Sequence, residues 1–295
     1  MGMEKTEILR RKTDEKRRGE IRALFDSGGV RRYAVGRTVL GREIDMYTLG
    51  TGERAVVYVG VHHALESLCE NVLLALVFDL CINKELKSIR GINKDFLLQK
   101  FTFFVIPALN LDGIAIASGE GRENILSERQ KKICCGNFGL WQANARGVDL
   151  NHNYDAGFFE YKAIECAEGL YYAPSKYSGE YPESEPETRA VANLVRTINP
   201  SLTVSLHTQG EEIYFSPRTA RVQRLSASLA ADIGYRVAYP SGSAKYGGLC
   251  DYTGSLGIPS LTLELGLGKN PLPISHAEPI YSRVGGSLIT LPTLL

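Results

Sequence analysis

Four strand-length stretches carry apolar residues almost without a break: AVVYVGVH at 55–62, FTFFVIPALN at 101–110, SLTVSLHT at 201–208 and PSLTLELG at 259–266. A strand with one solvated face alternates apolar and polar residues. A strand covered on both faces has no need to, so near-continuous runs point to a sheet with helices on either side. The segments between them fit that picture. Apolar spacing predicts a helix from Glu66 to about Leu86, with Leu68, Val72, Ala75 and Leu76 on one side. A second helix is expected at about 185–198, where Ser184 can cap and Glu187 follows three residues later. A third is expected at about 221–234. VLGREIDMYTLG at 39–50 reads as a further strand, separated from AVVYVGVH by the turn signal GTGE. Strands alternating with helices imply a layered α/β domain.

Residues 111–183 break the rhythm. They are rich in Gly, Asn, Asp, Tyr and Pro with little periodicity, and so long a stretch of irregular structure is usually functional. The mixed-charge start, with Ile8, Ile21 and Leu24 among its apolar positions, reads as a surface helix. Residues 1–34 are thus expected to form an N-terminal helical extension and 35–295 a single catalytic domain. A formal charge of +1 gives no electrostatic case for nucleic acid or a membrane surface. No N-terminal apolar core of a signal peptide is visible, and NVLLALVFDLCI at 71–82 is too short to span a bilayer. The expected location is cytoplasmic. The six cysteines, at 69, 81, 134, 135, 166 and 250, are expected to be reduced. Cys134–Cys135 lacks the CxxC spacing of a zinc ribbon, and Cys69 and Cys81 read as core.

Where AVVYVGVH ends, two histidines stand side by side and His63-Ala64-Leu65-Glu66 offers an imidazole and a carboxylate from one tight turn. The carboxyl edge of an open α/β sheet is where ligands bind. His207 ends another apolar run. A catalytic zinc commonly takes three protein ligands and leaves a position for water, so His63, Glu66 and His207 form a candidate set. On spacing alone, His63 and His207 read also as two separate hydrogen-bonded histidines. The H-x-x-E spacing selects His63, which leaves His62 beside the site. Glu264 interrupts an otherwise apolar strand. A buried carboxylate is expensive unless paired or used, and beside a metal it is a natural general base. The other reading is a surface carboxylate on an edge strand.

The strings HHALE, NLDG, NARGVDLNHNYDAG, SLHTQGEEIYF and GIPSLTLELG, in that order from about residue 35 to about Leu267, resemble the zinc carboxypeptidase family, carboxypeptidase A type. SLHTQGEEIYF and YSGEYPESEPET are similar to the bacterial γ-D-glutamyl-meso-diaminopimelate peptidases of that family. The resemblance implies a three-layer α/β sandwich with a central mixed, twisted sheet. It implies one zinc per chain held by His63, Glu66 and His207, and Glu264 as base and proton shuttle. It implies Arg146 steadying the carbonyl oxygen, Asp149 orienting the first histidine, and Asn151 near the substrate.

The chain departs from the family at His152, where typical members carry an arginine that grips the substrate's C-terminal carboxylate. An imidazole neutral near pH 7 cannot make that bidentate pair. The family's flexible-loop tyrosine is matched best by Tyr246, in a Gly-rich loop, and less well by Tyr239. Cys250 and Asp251 fall where the family keeps specificity residues. Glu211 and Glu212 are further candidates for reading a substrate amine, or are simply solvated. The expected activity is zinc-dependent hydrolysis of the γ-D-glutamyl-meso-diaminopimelate bond in muropeptides. The alternative is a carboxypeptidase or deacylase acting on other peptides or N-acyl amino acids.

Overall fold

In the computed structural model, which describes residues 3–119, 126–133, 137–171 and 174–295, β-branched and aromatic runs become strands and 3.6-spaced segments become helices. The strands are Arg31–Arg37 (β1), Glu43–Leu49 (β2), Arg54–Gly60 (β3), Ser88–Ile89 (β4), Ile92–Asn93 (β5), Phe101–Ile106 (β6), Leu202–His207 (β7), Glu212–Ser216 (β8), Arg236–Val237 (β9) and Ser260–Glu264 (β10). β4 and β5 form a small hairpin. The other eight make one mixed sheet in the order β1-β2-β6-β3-β7-β10-β8-β9. β6, β3, β7 and β10 run parallel, and β2 and β8 join them antiparallel.

All four apolar runs are central strands. Side chains alternate across the sheet, and both faces are apolar at β3: Val56 and Tyr58 enter one core, Val57 and Val59 the other. The first core is closed by the helices Leu68–Val77, Ala220–Ile233 and Ala277–Thr290. The second is closed by Pro186–Ile198, Leu249–Ser255 and the loop carrying Leu150 and Tyr154. On β7 and β10 only one face is apolar. Leu202, Leu206, Leu261 and Leu263 join the first core. Thr203, Ser205, His207, Ser260, Thr262 and Glu264 alternate with them and so present a polar strip on the opposite face.

Several expectations are refined. The helix after Glu66 is shorter than the pattern suggests: a 3-10 turn at Ala64–Glu66, an α-helix at Leu68–Val77 and a π-helical turn at Phe78–Ile82. Ser184 does not cap the next helix. The N-cap is Glu185 without a side-chain cap bond, Pro186 opens the first turn, and the Ser184 hydroxyl donates to Glu185 instead. The third helix is capped by Thr219, whose hydroxyl accepts from the Val222 N–H. Residues 111–183 hold the helices Leu111–Ser118, Glu128–Ile133 and Phe158–Glu168.

At the N-terminus two helices, Lys5–Arg10 and Glu15–Ser27, pack Ile8, Leu9, Ile21 and Phe25 into the first core, and residues 31–34 run in β1. Their apolar positions are core rather than surface. Buried Asn71 donates to the carbonyls of Ile8 and Arg11, and Arg18 makes a buried two-pronged pair with Glu70. Cys69 and Cys250 are buried, Cys81 is partly buried, and the four described cysteines are free thiols; Cys134 and Cys135 lie outside the described residues. Among the described residues no helix is long and apolar enough to cross a membrane.

Candidate active site and metal centre

The site forms at the carboxyl edge of β3, β7 and β10 because the sheet register brings their ends level. Gly60 pairs with Leu206, His207 with Glu264, and Glu264 with Glu212 on β8. Beyond Gly60 the chain must turn sharply. Val61 takes a φ of 56°, an unusual conformation for a β-branched residue and one that costs of order 1–3 kcal/mol. Neighbouring backbone holds it there: Leu109 N–H donates to Gly60 O at 3.0 Å and Asn110 N–H to Val61 O at 3.0 Å. The Asn110 amide donates to His62 O at 3.0 Å, while its oxygen caps the helix Leu111–Ser118. That is what Asn110 of NLDG does: it fixes the turn that presents the histidines.

The two histidines then diverge. His62 is fully buried. Its Nε2 lies 2.9 Å from the Tyr154 hydroxyl and its ring lies nearly parallel to His207, with 5.4 Å between centroids. It braces the site from behind. His63 turns forward. Its Nδ1 is 3.0 Å from Glu66 Oε1, and His207 Nδ1 is 3.0 Å from Glu66 Oε2 and 3.3 Å from His63 Nδ1. Among the described residues these three form the one group spaced to hold a metal ion.

A zinc ion suits this arrangement. Tetrahedral ligands with bonds of about 2.0–2.1 Å stand about 3.3 Å apart, and the donor atoms here are separated by 3.0, 3.0 and 3.3 Å. Two imidazoles and a carboxylate are its usual donors. Glu66 Oε2 is buried without a hydrogen bond despite its closeness to His207, as expected of an atom whose partner is a cation. On the far side of His63, Nε2 meets Asp149 Oδ1 at 3.1 Å, the carboxylate contact that fixes a ligating imidazole's orientation. Asp149 is itself held by the N–H groups of Asn151 and Lys176. Burial alone would push the His63 pKa down, but Glu66 and Asp149 outweigh it and hold it well above the usual value. Burial opposes ionisation of Glu66 as well, yet His63 and His207 hold its carboxyl down at about 2. A bound metal ion would take the place of the proton that these carboxylates hold on His63 Nδ1.

Glu264 is the end of β10, beside His207. It lines the same open cavity as His63 and His207, with about 750 Å3 of free space including the mouth. Burial, with Glu66 and Glu212 adding to it against His207 and His63, pushes its carboxyl up to about 7. Asn151, His152, Cys250 and Asp251 line this cavity too. The neighbouring Cys250 thiol lies 3.5 Å from Ser260 O and is raised by burial to about 12, so it is a packing surface. Tyr214, Phe215, Pro240, Ala244, Gly248 and Thr262 complete the walls. Alternation along β8 and β10 is the signal that could have found Tyr214 and Thr262.

Other expected residues lie elsewhere. Arg146 does not line the metal cavity. It borders a neighbouring one with Val148, Tyr177, Tyr181 and Glu185; its side chain is 55 % exposed and its Nη1 is 3.6 Å from Glu185 Oε2. Tyr246 contributes its backbone carbonyl rather than its phenol: the carbonyl accepts from His152 Nδ1 at 2.8 Å, and the ring lies against Gly157, where a Cβ would come within 2.5 Å of it. Tyr239 packs edge-on against Phe215. Glu211 and Glu212 do not line the cavity either. Glu211 pairs with Arg283 at 2.6 Å, and Glu212 is taken by Arg236 and the Tyr214 hydroxyl. Each is already matched with an arginine, which leaves no charge for a substrate amine.

Motif reading missed the residues that shape the 142–153 loop. The Asn144 amide donates to Glu185 Oε2 at 2.7 Å, and its oxygen accepts the Arg146 and Val148 N–H groups. Asn153 bonds to Ser178 O, the Ser184 hydroxyl and the Glu185 N–H. Asn270, after β10, donates to Thr208 O at 2.8 Å and lies 3.4 Å from Glu66 Oε1. These asparagines tie segments far apart in the chain, which no local pattern reveals.

A mixed eight-stranded sheet thus carries at its carboxyl edge a His-Glu-His cluster able to hold a metal ion, with a carboxylate beside it. The sequence matches the zinc carboxypeptidase family over residues 25–280, and the chain belongs to that family. It is 29 % identical over 263 residues to gamma-D-glutamyl-L-diamino acid endopeptidase 1 of Lysinibacillus sphaericus, an alignment spanning 85 % of this chain and 64 % of that relative's length. In fold it is similar to bovine thrombin-activatable fibrinolysis inhibitor, with a TM-score of 0.75 at 21 % identity, covering 97 % of each chain. It is also similar to murein-tripeptide amidase MpaA from Escherichia coli O157, with a TM-score of 0.56 at 19 % identity over 88 % of this chain and 91 % of that one.

Proposed function

We propose that the enzyme hydrolyses the γ-D-glutamyl-meso-diaminopimelate bond of peptidoglycan stem peptides, as a cytoplasmic enzyme acting on muropeptides. One observation carries the reading: His152, not an arginine, lines the cavity beside the His-Glu-His cluster, so among the described residues no side chain lining it can grip a terminal carboxylate with two parallel hydrogen bonds. The relative from Lysinibacillus, whose name specifies a γ-D-glutamyl-diamino acid bond, supports it.

His63, Glu66 and His207 hold the zinc, which when bound polarises a carbonyl and acidifies water. Asp149 keeps His63 in the tautomer that turns Nδ1 inward. Glu264 takes the proton of the attacking water and returns it to the leaving amine; a carboxyl raised by burial suits both transfers. Arg146 supplies positive charge to the developing oxyanion. Its pairing with Glu185 is long, at 3.6 Å, its own side chain is exposed, and Asn144 and Ser184 also hold the Glu185 carboxylate, so the guanidinium can swing toward the substrate without leaving that carboxylate unpartnered.

The test is to incubate the zinc enzyme with L-Ala-γ-D-Glu-meso-diaminopimelate, with plain C-terminal peptides and with N-acyl amino acids, and to read the products by mass spectrometry. Release of diaminopimelate from the first alone is expected. Cleavage of only C-terminal peptides or N-acyl amino acids makes the enzyme a carboxypeptidase or deacylase instead. Native protein found outside intact cells would overturn the cytoplasmic assignment.

A further inference from the structure

Two buried carboxylates converge on one amide beneath the loop that carries Arg146. The Asn144 NH2 group donates to Glu185 Oε2 at 2.7 Å and to Glu187 Oε2 at 3.3 Å, while its oxygen accepts the Arg146 N–H at 3.0 Å. Both glutamates are buried, Glu187 completely. The other Glu187 oxygen accepts the Val39 N–H at 3.1 Å, and the other Glu185 oxygen accepts the Ser184 hydroxyl at 2.9 Å. The cations around them are few. Arg42, from the turn that carries Val39, lies 3.4 Å from Asp112, the third carboxylate facing Glu187. Arg189, on the same helix as Glu187, donates to the carbonyls of Glu183 and Ser184. Among the described residues Arg146 is the one cation within ion-pair distance of Glu185, its Nη1 3.6 Å from Oε2, and none stands that close to Glu187.

Two full negative charges on one buried amide call for a cation, and one proton on the pair removes that need. Burial, with Glu185 and Asp112 adding to it, pushes the Glu187 carboxyl up to about 7. While Glu187 is neutral, Glu185 carries the single charge, which Asn144 and Ser184 already meet, and the long contact to Arg146 is weak. Once Glu187 ionises, the second charge draws the half-exposed guanidinium in. Arg146 borders the cavity next to the metal cluster and must swing to reach a substrate there, so a tighter hold on it withdraws it from the reaction. We infer that the protonation state of Glu187 decides where Arg146 points, which makes Glu187 a positioning residue for the oxyanion donor. Glu187 touches no substrate and acts through Glu185 and Arg146. The inference rests on the proposed function only in giving Arg146 the oxyanion role.

Two measurements test it. In the zinc enzyme, kcat/KM on whichever peptide it cleaves is expected to fall by about tenfold between about pH 7 and 9, within what one oxyanion donor supplies. In Glu187→Gln it should stay level over that range, with zinc content unchanged. By reciprocity, removing Arg146 must make Glu187 harder to ionise. The Glu187 carboxyl, titrated by carbon-13 NMR without substrate, is expected to lose its proton about one pH unit higher in Arg146→Gln than in wild type. Arg146 is exposed, so that variant keeps the fold even where Glu187→Gln does not. An alkaline fall that is the same in wild type and Glu187→Gln, or a Glu187 midpoint that Arg146→Gln leaves in place, overturns the inference. A midpoint that moves while the stem peptide stays intact and another peptide is cut refutes the proposed function alone. Stem-peptide cleavage with an unmoved midpoint refutes this inference alone.

Discussion

Asp149 never approaches the substrate cavity, yet it governs the first ligand. Its carboxylate fixes the orientation of His63 from behind, and Lys176 and Asn151 N–H groups fix Asp149 in turn. Replacing it with Asn weakens that contact while preserving shape. Zinc affinity is expected to fall by 10–100-fold, measured by competition with a chromogenic chelator. Glu264→Gln is expected to retain zinc and lose a factor of about 10²–10⁴ in kcat, the usual contribution of a positioned general base. Full activity with zinc bound would remove Glu264 from the mechanism. Arg146→Gln should lower kcat by about 10²–10³ if its guanidinium stabilises the oxyanion, and should leave zinc content unchanged. A kcat equal to wild type would leave Arg146 as the solvated partner of Glu185.

At the scale of elements, the catalytic loop depends on a helix it does not belong to. The first turn of Pro186–Ile198 buries Glu187 beside Glu185, and both carboxylates meet the Asn144 amide. Burial first, then Glu185 and Asp112, pushes the Glu187 carboxyl up to about 7 from an unfolded value near 4.5. The folded state therefore holds this proton more tightly than the unfolded chain. The associated stability is complete below about pH 4.5 and is lost as pH rises through about 7. The loss is on the order of 3 kcal/mol. Glu187→Gln should flatten stability between pH 5 and 8 in urea unfolding; an unchanged slope would show that Glu187 ionises freely in the fold. The pattern PESEPET announced a helix start but not this cost, because burial of Glu187 against Val39 and Asn144 arises only when residues far apart in the chain meet.

For the whole molecule, the metal is expected to act as a structural ligand as well as a catalytic one. His63, Glu66 and His207 come from the ends of two strands that adjoin in the sheet, so an ion held by all three ties those strand ends together. Zinc that binds only the folded state stabilises it by about 2.7 kcal/mol at a hundredfold excess over its Kd. Chelation should lower the melting temperature in calorimetry, and an identical melting curve for metal-free protein would contradict this. The N-terminal helices belong to the same cooperative body. The buried Arg18–Glu70 pair joins them to the helix that follows Glu66, so Arg18→Ala should cost about 3–5 kcal/mol by leaving a buried carboxylate alone.

The four apolar runs, the H-x-x-E turn and Glu264 at a strand end were legible because their signals are local: strand period, side-chain chemistry and a short spacing. They determined a layered α/β fold and a metal cluster at the sheet's carboxyl edge. Only the tertiary structure decided the rest. The edge strands β1 and β9, and β8 beside β9, carry weak patterns and exist because neighbouring strands complete their hydrogen bonds. Glu211 and Glu212 sit within the SLHTQGEEIYF string, yet long-range partners turn them to Arg283 and Arg236. Whether a polar side chain reaches substrate is settled by whichever partner arrives first in space, and that partner can lie anywhere in the chain.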